Sequence, residues 1–271
     1  MPGAHTEAGI NVRVRGCAKA ANREAVDSRY NVGLGFLLRA RVNLKRQRNT
    51  MGGMIPLGDA TRRPERFPAV TIGIIIVNAL VFVAELSGGD AFVMRWSEIP
   101  ADIVSGHHWI TILTAMFMHA GWLHIIGNMV FLWAFGPEIE DAMGPVRYLA
   151  FYLLSGLAAS LAQTAITPHS TVPNLGASGA IAGVMGAFLV TFPKDRIRAL
   201  LLLGWWTRVT FIPAALLIGF WFLMQIFDQV GAVASVQGGG VAYAAHVGGF
   251  IFGAVTGRFF EGFRRVDEIG Y

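Results

Sequence analysis

Six apolar stretches of about twenty residues constrain this chain more than any other feature. A helix of roughly 20 apolar residues crosses the hydrocarbon core of a bilayer. The composition agrees, because 54% of the residues are hydrophobic and only 14% are charged, whereas a soluble domain carries about 25% charged residues. The sequence therefore predicts an all-α membrane protein, a bundle of six transmembrane helices at about 69–86, 115–135, 147–167, 177–193, 210–229 and 241–260.

The basic residues orient this bundle. Of the 22 Lys and Arg residues, 21 lie before the first stretch, at the C-terminal end of the chain, or in or beside the connections that follow the second and fourth stretches; only Arg95 lies elsewhere. The positive-inside rule then places both termini in the cytoplasm. This asymmetry accounts for the net charge of +5, so the lipid bilayer is the expected partner and no nucleic acid is expected. The apolar run 199–206 is too short to span, and we expect it at the membrane interface, where Trp205 and Trp206 suit the headgroup region.

The chain divides into three parts: a basic N-terminal extension at 1–53, a six-span domain at 54–260 and a cytoplasmic tail at 261–271. The extension has no apolar core long enough for a signal peptide. Three interpretations of it stay open: a disordered cytosolic tail, a segment that is not translated because the chain starts at Met54, or an Arg-rich arm that binds anionic lipid. Cys17, the only cysteine, lies in this extension, so no disulfide forms within one chain.

Ser178 and His246 are the first candidates for catalysis, because strongly polar side chains are costly inside a bilayer and therefore functional suspects. Ser178, in Gly-Ala-Ser-Gly, opens the fourth stretch, and His246 opens the sixth from the same external side. A serine needs a base to become a nucleophile, and a histidine can take its proton and return it to a leaving amine. Asp228 ends the fifth stretch near the surface and is a poor candidate to orient His246. A Ser/His dyad is therefore predicted rather than a triad.

Small residues would let the helices of this pair approach each other. Gly179 follows Ser178, and Gly249 and Gly253 lie three and seven residues after His246, on the same helix face. Such small-xxx-small patterns bring transmembrane backbones together. The alternative interpretations are ordinary packing for the glycines, a helix cap for Ser178 and a hydrogen-bonded core residue for His246. The pairing of serine with histidine favours catalysis over these.

His124 and Asn128 supply donors for the oxyanion that serine hydrolysis creates. They lie four residues apart and share one helix face in the outer half of the second stretch. The backbone N–H of Ser178, at a helix N-terminus, adds a third donor. The alternative for His124 and Asn128 is interhelical hydrogen bonding that only holds the bundle together. His119 is expected to bond loop backbone and to hold the start of the second stretch.

Other membrane chemistries lack their residues. His-Glu-x-x-His is absent, which excludes the zinc-protease arrangement, and no pair of aspartates lies within the stretches, which excludes the two-carboxylate mechanism. No glycine-rich phosphate loop occurs. The sequence thus predicts no metal and no cofactor. A bundle that binds haem or copper through its histidines and a transporter are alternatives, but neither explains Gly-Ala-Ser-Gly.

Four segments resemble the rhomboid family of intramembrane serine proteases, in order, spacing and topology, over about 54–260. They are His119-Ala-Gly-Trp-Leu-His124-Ile-Ile-Gly-Asn128-Met, Phe135-Gly-Pro-Glu-Ile-Glu140, Gly176-Ala-Ser178-Gly and Ala245-His246-Val-Gly-Gly. The resemblance implies the six-helix rhomboid core, with Ser178 as nucleophile and His246 as base. It also implies that the oxyanion hole comprises the backbone N–H of Ser178 and the side chains of His124 and Asn128.

The resemblance further implies a substrate class and a location. The enzyme would be an endopeptidase of a bacterial-type inner membrane that cuts transmembrane protein substrates in or near their spans. Substrate would reach the site beside the fifth stretch, past Phe220, Trp221 and Phe222. Glu138 and Glu140 would bond loop backbone at the cytoplasmic face.

Two positions depart from the family pattern. Family members often carry Trp-Arg in the first external loop, where this chain has Trp109-Ile110. Some members stack an aromatic ring on the catalytic histidine from four residues past the serine, where this chain has Ala182, so another side chain must hold His246. A rhomboid-like protein that binds membrane clients without cutting them is the alternative function. Because such binders typically lose one of the pair, the presence of both Ser178 and His246 favours a protease.

Overall fold

The computed structural model describes residues 53–203, 206–234 and 242–261, and within these ranges the chain forms eight helices and three strands. The predicted extension at 1–53 lies outside the described residues except for Gly53, as does the tail at 261–271 except for Glu261. The strands are β1 Gly53–Asp59, β2 Arg196–Leu203 and β3 Trp206–Pro213. The helices are α1 Ala69–Trp96, α2 Pro100–Val104, α3 Ile110–Ala115, α4 Trp122–Met143, α5 Pro145–Ile166, α6 Ser178–Thr191, α7 Ala214–Ala234 and α8 Tyr243–Phe260.

Each predicted stretch overlaps one of the longer helices, which are α1 and α4 to α8. Among the described residues, α1 and α5 are long and apolar enough to cross a membrane, with mean hydropathies of 2.4 and 1.5 over their most apolar segments. α6 and residues 214–227 of α7 are shorter apolar helices. Large apolar side chains are exposed on the outside of the helices, a surface that suits lipid rather than water; they include Leu80, Leu161, Leu216, Phe220, Val255 and Phe259. The fold is that of a helical membrane bundle.

Two predicted starts are wrong, and α4 also runs to Met143, past its predicted end near 135. α4 begins at Trp122 and not near 115, because residues 116–121 form a turn between α3 and α4. α7 begins at Ala214 and not near 210, because residues 206–213 belong to β3. α1 continues ten residues beyond its predicted end at 86, but Gly89 interrupts it with a φ of 59°, which a glycine adopts without strain.

α6 lies at the centre of the bundle, and its residues from Gly179 to Phe188 are all buried. Its glycines pack directly on those of α8. A Cβ atom on Gly249 would overlap the carbonyl oxygen of Gly179, and a Cβ atom on Gly253 would overlap that of Gly183. The two glycines of each helix are four residues apart and share one face, so the backbones touch over more than one turn. This contact sets the register of α8 against α6.

The strands form one antiparallel sheet in the order β1-β2-β3. Met54 pairs with Leu201 across β1 and β2. Most of the apolar run 199–206 therefore lies in β2 and at the start of β3, where ladder hydrogen bonds satisfy its backbone groups; Trp205 lies outside the described residues. Arg62 forms an ion pair with Asp195, at 2.6 Å, beside the sheet.

Glu140 of α4 accepts hydrogen bonds from the first turn of α1, whereas the family resemblance implied bonds to loop backbone. Its carboxylate accepts the backbone N–H groups of Val70 and Thr71 and the hydroxyl of Thr71, each at 2.8 Å. The first N–H groups of a helix have no partner within the helix, and negative charge is favourable at that end. Glu138 is buried as well, but one of its oxygens has no hydrogen-bond partner among the described residues.

Glu98 anchors the loop after α1 to the segment that leads to Ser178. Its backbone pairs with that of Asn174, with N···O distances of 3.0 and 2.7 Å. Its carboxylate accepts hydrogen bonds from the hydroxyl of Ser160, from Thr164 at 2.8 Å and from the Asn174 amide at 3.3 Å. Burial raises the pKa of Glu98, and these hydrogen bonds offset the rise only in part. A buried acid thus holds the loop in place.

Gly253→Ala is expected to destabilise the protein, because the new methyl group would collide with the backbone of Gly183. Overpacking of this kind typically costs about 1–3 kcal/mol, measurable as a lower unfolding temperature in detergent. Gly73→Ala in α1 is the matched control, since a Cβ atom there meets nothing within 4 Å. Equal unfolding temperatures for the two variants would show that the α6–α8 contact does not need glycine.

Glu98→Gln is expected to weaken the pH dependence of stability. Because the pKa of Glu98 is raised in the folded protein, its stabilisation is fully present below the pKa of the unfolded chain and is lost as the pH rises through the folded pKa. The Gln variant stays neutral throughout. The unfolding temperature of Glu98→Gln relative to wild type should therefore increase with pH, whereas that of Glu65→Gln, at an exposed glutamate, should not. A constant difference for Glu98→Gln would contradict this account.

Candidate active site

The side chains of Ser178 and His246 are in direct contact, with Oγ of Ser178 2.7 Å from Nε2 of His246. Ser178 is the first residue of α6, and the cap position before it belongs to Ala177 without any side-chain cap bond. The hydroxyl is therefore engaged by the histidine and does not cap the helix. His246 lies in the first turn of α8 and is 8% exposed. The backbone contact of Gly179 with Gly249, one residue after Ser178 and three residues after His246, brings the two side chains together.

The other ring nitrogen of His246 is bonded as well. Nδ1 lies 2.6 Å from Oε1 of Gln225 in α7. The ring of Trp221, one turn earlier in α7 than Gln225, has its centroid 5.9 Å from that of the imidazole. The ring of Tyr243 lies nearly perpendicular to the imidazole, with 6.4 Å between the centroids. Ala182 is fully buried and contributes no ring. The side chains that hold His246 thus come from α7 and from the start of α8.

Gln225 was missed in the sequence analysis, although a signal was present. It is the only amide or ionisable side chain from Ala214 to Phe227, and it is 9% exposed. A buried amide is costly unless it is hydrogen-bonded, so a lone glutamine in an apolar helix predicts a partner on a neighbouring helix. The sequence does not identify that partner, because the neighbours of α7 are set by tertiary packing.

α4 contributes His124 and Asn128. Nδ1 of His124 accepts a hydrogen bond from the backbone N–H of Ala120 at 3.2 Å. A backbone N–H only donates, so the neutral ring carries its proton on Nε2, which is then a donor. Nδ2 of Asn128 is buried and has no hydrogen-bond partner in the described part of the chain. Buried donors are normally paired. An unpaired donor such as this one is available to hydrogen-bond a bound group.

Gly176 separates His124 from Ser178. Its φ of 140° is one that favours glycine, and its N–H donates to the carbonyl of Ala115 at 2.9 Å. A Cβ atom on Gly176 would lie 3.1 Å from Nε2 of His124 and 3.4 Å from Oγ of Ser178. These two atoms therefore border the same small space beside the Gly176 backbone.

His119 lies behind His124, in the turn before α4. Its ring meets that of His124 edge-on at 5.1 Å. Its backbone N–H donates to both carboxylate oxygens of Glu85 in α1, at 3.1 and 3.0 Å. The turn is thus held through the main chain of His119, where we had expected its side chain to bond the loop. Among the described residues, no three His, Cys, Asp or Glu side chains are grouped to hold a metal.

Three known proteins with sequences similar to this chain carry rhomboid names. Rhomboid protease GluP of Bacillus subtilis is 30% identical over 182 residues, which cover 66% of this chain and 35% of the relative. Rhomboid-like protein 11, chloroplastic, of Arabidopsis thaliana is 26% identical over 206 residues, covering 72% and 66%. Rhomboid protein 1, mitochondrial, of Saccharomyces cerevisiae is 30% identical over 176 residues, covering 61% and 45%. The chain thus spans between about a third and two thirds of the length of these relatives.

A family profile described as "Rhomboid domain" matches residues 106–262, which is more than half of the chain. The matched range contains His124, Asn128, Ser178 and His246. The chain therefore belongs to the rhomboid family of integral membrane proteins.

Proposed function

We propose that this chain is an intramembrane serine endopeptidase that cuts transmembrane protein substrates in or near their spans. The 2.7 Å contact between Ser178 and His246 carries the proposal, because a general base must lie within hydrogen-bond distance of the hydroxyl that it deprotonates. Both members of the pair are present, which favours a protease over a client-binding protein. The relative named Rhomboid protease GluP supports the same activity.

In the first half of the reaction, Nε2 of His246 takes the proton of Ser178 as Oγ attacks the carbonyl carbon of the scissile peptide bond. The carbonyl electrons move onto oxygen. Nε2 of His124, Nδ2 of Asn128 and the N–H of Ser178 stabilise this oxyanion. The C–N bond then breaks as His246 gives its proton to the leaving amine, and an acyl ester remains on Ser178.

In the second half, His246 takes a proton from water while the water oxygen attacks the ester carbon. The same three donors stabilise the second oxyanion. The ester C–O bond breaks, the new carboxyl end leaves, and His246 returns the proton to Ser178. Every proton transfer passes through Nε2 of His246, so this atom must carry a lone pair whenever a cycle begins.

The length of α6 supports a site within the membrane. A helix of 14 residues is about 21 Å long, whereas the hydrocarbon core is about 30 Å thick. The basic residues that follow Thr191 place that end at the cytoplasmic face, so Ser178 lies below the external surface, where its partial exposure admits water from outside. We accordingly propose residues 54–260 as the protease domain of a bacterial-type inner-membrane protein, with both termini cytoplasmic.

The edge of the bundle between α4 and α7 is the proposed access route for substrate. α7 packs on α8, where the ring of Phe222 stacks on Phe250 at 4.1 Å and 19°, and no substantial contact joins its described residues to α4. Trp221 is turned towards His246, whereas Phe220 is 64% exposed. Of the three aromatic residues expected beside the route, Phe220 is thus the one that would meet substrate.

Wild-type protein in detergent should react with a fluorophosphonate probe and cleave a transmembrane substrate that has small residues near the scissile bond. Ser178→Ala should abolish both reactions, and Asn128→Ala should lower kcat/KM by about 10²-fold, because one of three oxyanion donors is lost. Ser87→Ala, at an exposed serine of α1, is the control and should change nothing. Labelling or cleavage by Ser178→Ala would contradict the assignment of Ser178 as the nucleophile. A wild-type protein that reacts with neither the probe nor the substrates would contradict the proposed function.

Gly176→Ala should lower kcat/KM by about 10²-fold, comparable to the loss of one oxyanion donor, because the methyl group would occupy the space between His124 and Ser178. The variant also carries backbone strain. Gly58→Ala controls for that strain, since Gly58 has a similar φ of 129° but nothing within 4 Å of its Cβ position. Activity in Gly176→Ala equal to that of Gly58→Ala would show that this space is not used.

A further inference from the structure

Gln225 has a place in the bundle that neither the mechanism nor the comparisons explain. Its buried amide lies in α7, whereas Ser178 lies on α6 and His246 on α8. The three side chains form one line of contacts, 2.7 Å from serine to histidine and 2.6 Å from histidine to glutamine. A third helix is therefore joined to the reacting pair through a single hydrogen bond.

The chemistry of the amide oxygen determines which ring nitrogen of His246 carries the proton. Oε1 of Gln225 can only accept, so Nδ1 of His246 carries the ring proton. In the neutral imidazole the lone pair then lies on Nε2, facing the hydroxyl of Ser178. The opposite tautomer would present an N–H to the hydroxyl and could not take its proton. His246 can therefore act as a base only in the tautomer whose Nδ1–H donates to Gln225.

We propose that Gln225 is a positioning residue that holds His246 in its basic tautomer and orientation, so that the reacting unit is a Ser178–His246–Gln225 relay with an uncharged third member. The inference rests on the proposed protease function. It extends the predicted dyad and identifies the residue that takes the place of the aromatic ring missing at Ala182.

An uncharged partner suits the surroundings of this site. A carboxylate buried in the membrane is expensive to desolvate, and no positive side chain lies in α7 or α8 near it to offset the charge. The amide carries no net charge while the enzyme is at rest. When His246 accepts the serine proton, the negative end of the amide dipole still faces the new imidazolium at Nδ1. The relay thus supplies orientation without a permanently buried ion.

The first test compares three variants with wild type in the full chain. Gln225→Met keeps the length and bulk of the side chain but removes the amide acceptor, and it should lower both kcat and the rate of fluorophosphonate labelling by about 10²-fold, with KM unchanged because Gln225 does not touch substrate. Gln225→Glu should restore most of this loss, since a carboxyl group offers an acceptor oxygen in either protonation state. Gln163→Met is the matched control. Gln163 also bonds α8, through the N–H of Ala245 at 3.3 Å, and its loss should leave both rates unchanged.

The outcomes separate this inference from the proposed function. Wild type that neither labels nor cleaves contradicts the function itself. Wild type that labels, with Gln225→Met equal to it, contradicts the relay alone. Equal losses in Gln225→Met and Gln163→Met would show a packing effect and also overturn the relay.

A second test needs no variant at Gln225. Nitrogen NMR of histidine-labelled wild type, in detergent at mildly alkaline pH, reports which ring nitrogen carries the proton, and His246→Gln identifies the signal by its loss. The relay requires a protonated Nδ1 and an unprotonated Nε2 on His246. A proton on Nε2, or a mixture of tautomers, would overturn it even if Gln225→Met failed to fold.

Discussion

The contact between the backbones of α6 and α8 is the interaction on which the rest of this structure depends. Lipid gives helices little hydrophobic reason to associate, so close packing and hydrogen bonds must hold them. Gly179 and Gly183 face Gly249 and Gly253 with no side chain between them. A side chain at Gly249 or Gly253 would collide with the backbone of α6 and push the two helices apart. A shift of about 1 Å already takes a 2.7 Å contact beyond hydrogen-bond length. The contact between the serine and the histidine therefore depends on the glycines that let the backbones of α6 and α8 touch.

Once the helices are this close, the remaining polar groups follow one rule, which is that buried donors and acceptors find partners. Glu140 bonds the first turn of α1, Glu98 bonds the segment before α6, and Gln225 bonds the histidine. Eight buried side-chain atoms of the described residues depart from the rule, and Nδ2 of Asn128 is one of them. A group that must stabilise charge only during the reaction has to be unoccupied beforehand, and its orientation must already be fixed. The same low polarity that makes an unpaired donor costly makes it effective when an oxyanion appears.

The features that sequence reasoning anticipated are those with local causes. Apolar length predicted the six longer helices, and the scarcity of polar side chains in apolar stretches singled out Ser178 and His246. The features that it missed depend on which segments become neighbours. β1 pairs with β2 across more than a hundred residues, as between Met54 and Leu201, and this pairing turns a leucine run with high helix propensity into a strand. The start of α7 was predicted too early for a similar reason, because residues 206–213 pair with β2 as strand β3. The polarity of Gln225 was visible in the sequence, but its partner on α8 was not.

The position of Gln225 on α7 links the chemistry to the edge of the bundle. No substantial contact joins the described residues of α7 to α4, and the stack of Phe222 on Phe250 holds α7 to α8. On the proposed mechanism, a movement of α7 that opened this edge to substrate would also draw the amide oxygen away from Nδ1 of His246. The imidazole would then be free to turn and to exchange tautomers. The base would be ready again only after α7 had returned and the aromatic stack had re-formed. The helix beside the access route would thus also control when the serine can be activated, which couples substrate admission to catalysis without a buried charge.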